Sequence, residues 1–509
     1  MQDNGVGSWI QRRIEKSGED IAIIQNGVAT SYGQLNHAIN LTASALSASG
    51  IKPGDRVAFI GENHPNFLQC FFATLQLGAI FVPLNTRLAA PEIEFMLKDS
   101  GASILLYAEP LQEKAKLAAE LADCKCVSVG KSASELVENL GLPATTESVF
   151  HDSKVERADK AVILYTSGTT GRPKGAELTH QNLTWNSFNV LVDYDVVSTT
   201  KALVISPMFH VASLGMGVLP VLLKGGTILL EEKFDAGRAL ELIETHGATS
   251  LSGVPTTFQM LSDHPNWEST DLSSITQLTC GGSAISLAVI EKYQSRGLSF
   301  TGGYGMTEAA PGVSSLPPTF SKSKVGSAGL PHHFTSIRIV SEVTETEVAA
   351  FEVGEIQVAG PNAIRSYWNN NDASESLHTS DGWMHTGDLG YLDESGFLFI
   401  VDRSKDMIIS GGENIYPSEV EQLLLTFSGI TAAAVVGVGD EKWGEVPVAV
   451  ICHSRTEPIE ATELIDFLLP KIAKYKIPKQ YYFTDELPRT ASGKVKKNQI
   501  KQLIDSGLL

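Results

Sequence analysis

Residues 165–175 read YTSGTTGRPKG. Gly168 and Gly171 permit positive φ and let successive backbone N–H groups converge on one anion. Thr166, Ser167, Thr169 and Thr170 add hydroxyls, and Lys174 adds a charge. That set suits a polyphosphate. The preceding VILY (162–165) reads as a strand, so the loop leaves a strand end, where α/β proteins place binding sites. It is not a Walker A loop. Its glycines are three apart instead of five, Pro173 precedes the lysine and Gly175 follows it. On composition alone, a flexible surface hairpin is an equal reading.

Outward from this loop the chain alternates strands and helices. RVAFIG (56–61), AIFVPL (79–84), SILLYA (103–108), KALVISPM (201–208) and GTILLEE (226–232) are short apolar strands. Residues 30–50 predict a helix: Thr30 and Ser31 can cap it, and Tyr32, Leu35, Ile39, Leu41 and Leu46 recur at helical spacing. Another helix is expected around 65–77. The alternation predicts an α/β fold of layered, largely parallel sheets. After about residue 325, SIRIVSE, GEIQVAG and GFLFIVDR predict a small antiparallel barrel or sheet. Beyond 404, EVEQLLLTFSGI reads as a helix, TAAAVVGVGD and EVPVAVICHS as strands, and ATELIDFLLPKIAKYKIP as a helix closed by Pro478. The predicted division is a large domain over 1–402, barrel-like from about 325, and a small α+β domain over 403–509.

Composition narrows the class. At 43% hydrophobic and 19% charged residues, the chain is an ordinary globular protein. It has no apolar run long enough to span a membrane. Neither a secretory start nor a peroxisomal ending is read at the termini. Five scattered cysteines suit a reducing, cytoplasmic setting, and the Cys124–Cys126 pair lacks partners for a zinc site. A net charge of −19 argues against nucleic acid as a partner. Between Lys471 and Lys501, however, nine Lys/Arg less Asp485 and Glu486 leave +7, a candidate anion-docking surface or a solvated face.

The whole string YTSGTTGRPKG resembles the signature of the AMP-forming adenylating superfamily of acyl-CoA synthetases, peptide-synthetase adenylation domains and beetle-type luciferases. PMFHVA (207–212), GGYGMTE (302–308), GEIQVAG (354–360), HTGDLG (385–390), VDRSKDMIISGGENIYP (401–417) and PRTASGKV (488–495) continue the resemblance in order along essentially the full chain. It implies that an acid is joined to AMP with release of pyrophosphate, and that the acyl group then passes to a thiol. Carboxylate attack on the α-phosphate brings two anions together, so the site must supply positive charge and positioning rather than a protein nucleophile.

The resemblance assigns roles residue by residue. Thr166, Ser167, Gly168, Thr169, Thr170, Gly171 and Lys174 would hold the β- and γ-phosphates of ATP. Thr307 and Glu308 would lie at the α-phosphate, with Glu308 holding Mg²⁺. Tyr304, flanked by Gly303, Gly305 and Met306, would stack on adenine, with Gly282, Ser283 and Ala284 along the ring edge. Asp388 would hold the ribose, and Arg403 the ribose or phosphate. Lys494 would bridge carboxylate and α-phosphate. Lys405 stands at the hinge of a mobile C-terminal domain. Rotation there would exchange Lys494 for the loop of Ser410, Gly411, Gly412 and Glu413, whose glycines let a thiol arm approach. His210 would gate the thiol's path.

Coenzyme A is the expected thiol, docking on Trp443, Lys474, Lys476 and Lys479. Phe209-His210-Val211 replaces the aspartate of amino-acid-activating relatives. Ala212, Gly215, Gly217, Gly281, Gly282, Gly303 and Gly305 are small and leave room for a long chain or an aryl ring. The expected function is therefore an ATP- and Mg²⁺-dependent carboxylic acid:CoA ligase, leaning to medium- or long-chain fatty acids. Its alternatives are an aryl-CoA ligase, an acyl-AMP ligase loading a carrier protein, and a degenerate nucleotide or acid sensor. A fatty substrate would imply peripheral membrane contact. The oligomeric state stays open, a homodimer being one outcome.

Overall fold

The computed structural model describes residues 5–166, 173–281, 285, 287–341, 343–403, 406–410, 413–440, 443–455, 457–490 and 494–509. The chain forms two compact units. One comprises Met1–Val325, Gly329–Ser336 and Val358–Met384; the other comprises Gly326–Ala328, Ile337–Gln357 and His385–Leu509.

The first unit carries two sheets. The six-stranded sheet runs in the order Lys125–Ser128, Ile104–Tyr107, Arg56–Ile60, Ile80–Leu84, Lys160–Thr166, Lys174–Thr179. Ile104–Tyr107 and Ile80–Leu84 are buried at every residue, as expected of parallel strands covered on both faces. The predicted helices form beside them. Ser31 and Gln34 build a capping box at the start of Tyr32–Ala48, and Pro65 occupies the first turn of Pro65–Gln76, where its missing N–H costs nothing. Phe67 and Phe71 of that second helix meet Phe81 edge-on at 5.3 and 5.5 Å. Each such fully buried ring contributes roughly 1.5–3 kcal/mol over leaving it exposed.

The nine-stranded sheet runs Leu330–Pro331, Gly312–Ser315, Phe300–Gly305, Gln277–Cys280, Ser250–Gly253, Lys201–Val204, Thr227–Leu230, Ile21–Gln25, Val28–Ser31. Its middle is parallel, and antiparallel pairs close both edges. Leu203, Leu251, Phe258, Leu278, Tyr293 and Phe300 belong to the core on one side.

The second unit contains most of a four-stranded sheet, Ser336–Val340, Gly354–Ala359, Met384–Leu392 and Leu398–Arg403, the segment read as barrel-like. Its other sheet pairs Ile430–Asp440 with Gly444–His453 as a long antiparallel hairpin, flanked by Ile408–Ser410 and Gln480–Phe483. The fold is α/β with layered sheets and a small C-terminal α+β part, as the sequence predicts. One helix is much shorter than expected. The helix expected to run to Pro478 stops at Leu468, and a 3₁₀ turn follows at Lys474–Lys476. Pro470 is the physical reason: it lacks the N–H that the next turn needs, and its ring clashes with the preceding one. No helix among the described residues is long and apolar enough to cross a membrane.

Candidate active site

The strands on either side of the glycine-rich stretch pair as a hairpin. Lys160–Thr166 returns as Lys174–Thr179 with Thr166 opposite Lys174; Ser167, Gly168, Thr169, Thr170 and Gly171 lie outside the described residues. The root of the hairpin is pinned. Tyr165 donates its hydroxyl hydrogen to Asp99 Oδ2 at 2.7 Å, and burial followed by the Asp99 contact pushes its pKa above the ordinary tyrosine value. Trp368 donates Nε1–H to the Asp99 carbonyl at 2.9 Å and its backbone N–H to the Gly175 carbonyl at 2.7 Å. A Cβ on Gly175 would lie 2.8 Å from Ile163 Cγ2 and 3.2 Å from Trp368 Cβ, so the glycine after the lysine serves this close approach. A cleft lined by Phe95, Asp99, Pro173, Lys174, Gly175 and Trp368 opens beside it.

Gly303, Tyr304 and Gly305 form the end of the strand Phe300–Gly305. A Cβ on Gly305 would stand 2.1 Å from the Pro311 carbonyl oxygen, which only glycine avoids. Met306 precedes a 3₁₀ turn at Thr307–Ala309. Glu308 is buried there, 8% exposed; its backbone carbonyl accepts from Ile364 N–H at 2.8 Å, and its Oε1 accepts from the Tyr367 hydroxyl at 2.9 Å. Burial and the Glu308 charge push the Tyr367 pKa up, keeping it a donor. Lys174 Nζ lies 5.4 Å from the centre of the Tyr367 ring. The fold thus brings Lys174 to the ring and Glu308 to the hydroxyl of one tyrosine that sequence reasoning missed. Nothing in its residue type separates Tyr367 from a core aromatic.

The helix His180–Asp193 holds a second missed set. Asn182, Asn186, Asn189 and Asp193 recur at spacings of four, three and four, so they share one face. Asn182 donates to the carbonyls of Pro361 and Ala363. Asn186 accepts from Gly312 N–H and donates to the Gly215 carbonyl, both at 2.9 Å. Asn189 accepts from Phe334 N–H and donates to Thr335 Oγ1. Asn362 completes the circuit by donating to the carbonyls of Ala309 and Gly312. A buried polar face on an amphipathic helix looks like a solvent face in sequence, which is why it went unread.

His210 is half-buried, its ring 4.7 Å from that of Phe209, and a π-helical stretch Ser213–Val218 follows. The small residues expected to leave room divide into two kinds. A Cβ on Gly215 would press on Pro311 Cδ at 2.7 Å, and Gly305 is similarly closed. Among the described residues, a Cβ on Gly217 would meet Val204 Cγ2 at 3.9 Å and one on Gly281 would meet nothing within 4 Å. Of these four, the first pair serves close packing and the second leaves room beside it among the described residues. Gly282, Ser283 and Ala284 lie outside the described residues.

In the second unit Asp388 is buried and sits opposite Arg403 in the pairing of Met384–Leu392 with Leu398–Arg403. Lys494 is exposed, and its backbone carbonyl accepts from Thr490 N–H at 2.7 Å. Ser410 ends its strand opposite Glu413. Lys405, Gly411 and Gly412 lie outside the described residues. Trp443 is 46% exposed and its N–H donates to Asp440. The basic segment is less cationic than its own count. Lys476 pairs with Glu419 at 2.7 Å, Lys497 with Glu421 at 2.9 Å, and Lys501 with Glu445 at 3.4 Å, acids from outside the segment that the local sum omitted. Lys474 has no ion pair among the described residues.

Residues 10–368 match the model of the AMP-binding enzyme family, and residues 419–494 match its C-terminal domain. The chain belongs to the AMP-binding enzyme family. It is 45% identical over 502 residues to a feruloyl-CoA synthase of Amycolatopsis sp, covering 99% of each chain. It is 38% identical over 507 residues to an indoleacetate–CoA ligase of Aromatoleum aromaticum, covering 98% of each. Among solved structures, o-succinylbenzoate coenzyme A synthetase of Bacillus subtilis in complex with ATP and magnesium superposes with a TM-score of 0.87 at 33% identity, over 97% of this chain and 99% of that one. This family member is an AMP-forming acid–CoA ligase, with ATP and CoA as co-substrates and Mg²⁺ as cofactor. The residues fit that set. A single buried carboxylate, held at one oxygen by Tyr367 and without an ion pair among the described residues, suits a hard cation that draws its other ligands from phosphate and water.

Proposed function

We propose that the chain activates an aryl carboxylic acid and transfers it to coenzyme A. The grouping of Lys174, Tyr367 and Glu308 at the root of the phosphate hairpin carries the activation reading. The feruloyl and indoleacetate names of relatives at 45% and 38% identity support an aryl acid over the fatty acid that the sequence words favoured.

In this reading Thr166, Ser167, Thr169, Thr170 and Lys174 hold the terminal phosphates, Tyr304 faces adenine, and Asp388 and Arg403 hold the ribose. Glu308 holds Mg²⁺, which when bound offsets phosphate charge. Lys494 orients the acid's carboxylate against the α-phosphorus. A carboxylate oxygen attacks, the bond to the β-phosphate breaks and pyrophosphate leaves. The thiolate sulfur then attacks the acyl carbonyl, and AMP departs with the shared oxygen. Residues 403–509 act as the mobile domain, pivoting at Lys405 so that Lys494 serves the first step and the loop 410–413 the second. His210 borders the thiol's path, and Trp443 and Lys474 contribute to CoA docking.

The test is AMP release from ATP with hydroxycinnamic, indolic and long-chain fatty acids, each with and without CoA. CoA-dependent release with the aryl acids is expected. Turnover confined to fatty acids would overturn the aryl assignment. AMP release with no CoA dependence would overturn the thiol assignment.

A further inference from the structure

His332 lies outside the machinery above and is fully buried, its side chain 0% exposed. Nδ1–H donates to Asp193 Oδ2 at 2.5 Å, and the same carboxylate oxygen accepts from His333 N–H at 3.2 Å. Held this way, a neutral imidazole presents Nε2 as a lone-pair acceptor. That Nε2 is buried and has no hydrogen-bond partner among the described residues. Native proteins keep few such atoms, and each calls for an explanation.

The place matters. The Tyr194 ring lies 5.8 Å from the imidazole on one side. On another lies Gly312, where a Cβ would stand 2.8 Å from Nε2. Gly312 pairs with Gly305, next to Tyr304, and Asn186 ties its N–H to the Gly215 carbonyl in the stretch that follows His210. Nε2 therefore sits where the nucleotide strand and the segment after His210 are joined, and a glycine stands where any side chain would crowd it.

We infer that His332 Nε2 accepts a hydrogen bond from a donor on the ring of the aryl acid, a phenolic O–H or a ring N–H, with Asp193 fixing the tautomer. Carboxylates, phosphates and alkyl chains bring no such donor, so the contact selects among acids by their distal ring substituent. This rests on the aryl-acid reading.

The experiment uses the full-length enzyme and two acids differing only at one hydroxyl, 4-hydroxycinnamate and cinnamate. It reads kcat/KM for CoA-dependent AMP release and the Kd of each acid by calorimetry. Wild type is expected to favour the hydroxylated acid by about tenfold, the fold-change of one hydrogen bond. In His332→Leu the ratio between the two acids falls to about one, and His332→Gln, which retains an acceptor, restores part of it. Gly312→Ala, whose Cβ would crowd Nε2, lowers the ratio through a different residue should His332→Leu fail to fold. A wild-type ratio near one, or an unchanged ratio in His332→Leu, would overturn the inference while leaving the aryl-CoA ligase standing. Turnover of fatty acids with neither aryl acid accepted would remove both.

Discussion

Removing one oxygen atom at Tyr367 tests the link between Glu308 and the hairpin that carries Lys174. In Tyr367→Phe the ring stays where it packs, and its face stays toward Lys174, whose Nζ is 5.4 Å from the ring centre. Only the 2.9 Å bond to Glu308 Oε1 is lost. Hydrogen bonds to charged groups contribute roughly 1.5–3 kcal/mol. Here the bond fixes which carboxylate oxygen faces the tyrosine and leaves the other for a cation. At about 1.4 kcal/mol per factor of ten, the Mg²⁺ concentration giving half-maximal AMP release should rise roughly tenfold to a hundredfold. Mn²⁺ binding in the presence of ATP, followed by electron paramagnetic resonance without turnover, should weaken by a similar factor. The KM for CoA should hold. A purely structural tyrosine would instead lower the melting temperature and leave the metal midpoint in place. An unchanged midpoint with an intact fold would therefore refute the role given to Tyr367, and with it the argument that Glu308 is pre-oriented for a cation.

Four further outcomes follow from the same contacts. Asn186→Leu leaves Gly312 N–H and the Gly215 carbonyl buried without partners, each costing about 1–3 kcal/mol, and should lower the denaturant midpoint accordingly; an unchanged midpoint would mean that these groups find other partners. Lys497→Met removes the cation beside Glu421, whose carboxyl burial already pushes up despite Lys497, at a cost of about 3–5 kcal/mol. A raised folded-state carboxyl pKa means that the folded form holds its proton more tightly, so the variant's deficit should be small at pH 4 and grow as pH rises; a deficit flat between pH 4 and 7 would contradict this. Lys494→Ala should slow adenylation far more than transfer from preformed acyl-AMP, and equal losses in the two half-reactions would contradict the pivoting domain. Burial pushes the thiols of Cys124 and Cys126 up to about 11, so at pH 8 only about one thiol in a thousand is ionised at each. Native-state alkylation should be slow at pH 8 and accelerate about tenfold per pH step below 11; fast labelling at pH 8 would show that the segment opens.

Much of the fold was legible because it follows from local rules. Fully apolar five-residue runs such as Ile80–Leu84 can be satisfied only between two layers, and Ser31 with Gln34 announces a helix start without reference to anything distant. The same kind of rule misread 461–478, where helical periodicity outweighed Pro470 until the backbone had to find a donor that was not there. The small residues near the expected acid site show a related limit. Composition grouped Gly215, Gly217, Gly281 and Gly305 with the other small residues, yet Pro311 closes on Gly215 and Gly305 while, among the described residues, Gly217 and Gly281 keep space beside them, a distinction made by which groups the fold brings against each.

The sequence by itself determined the chemistry: which hydroxyls, glycines, carboxylates and lysines the chain carries, in an order that matches an adenylating ligase end to end. That information is local, because phosphate binding needs particular residue types within one loop. Tertiary structure decided which groups meet. Tyr367 reaches Glu308 across a separation of 59 residues, and Asp193 holds His332 across 139. Asn186 clamps Gly215 and Gly312 from a helix that shares no motif with either. The same holds for the basic segment, where Glu419, Glu421 and Glu445 neutralise cations that a local sum had left free. Hydrogen bonds and ion pairs are satisfied in space, between groups whose separation along the chain carries no trace of the contact.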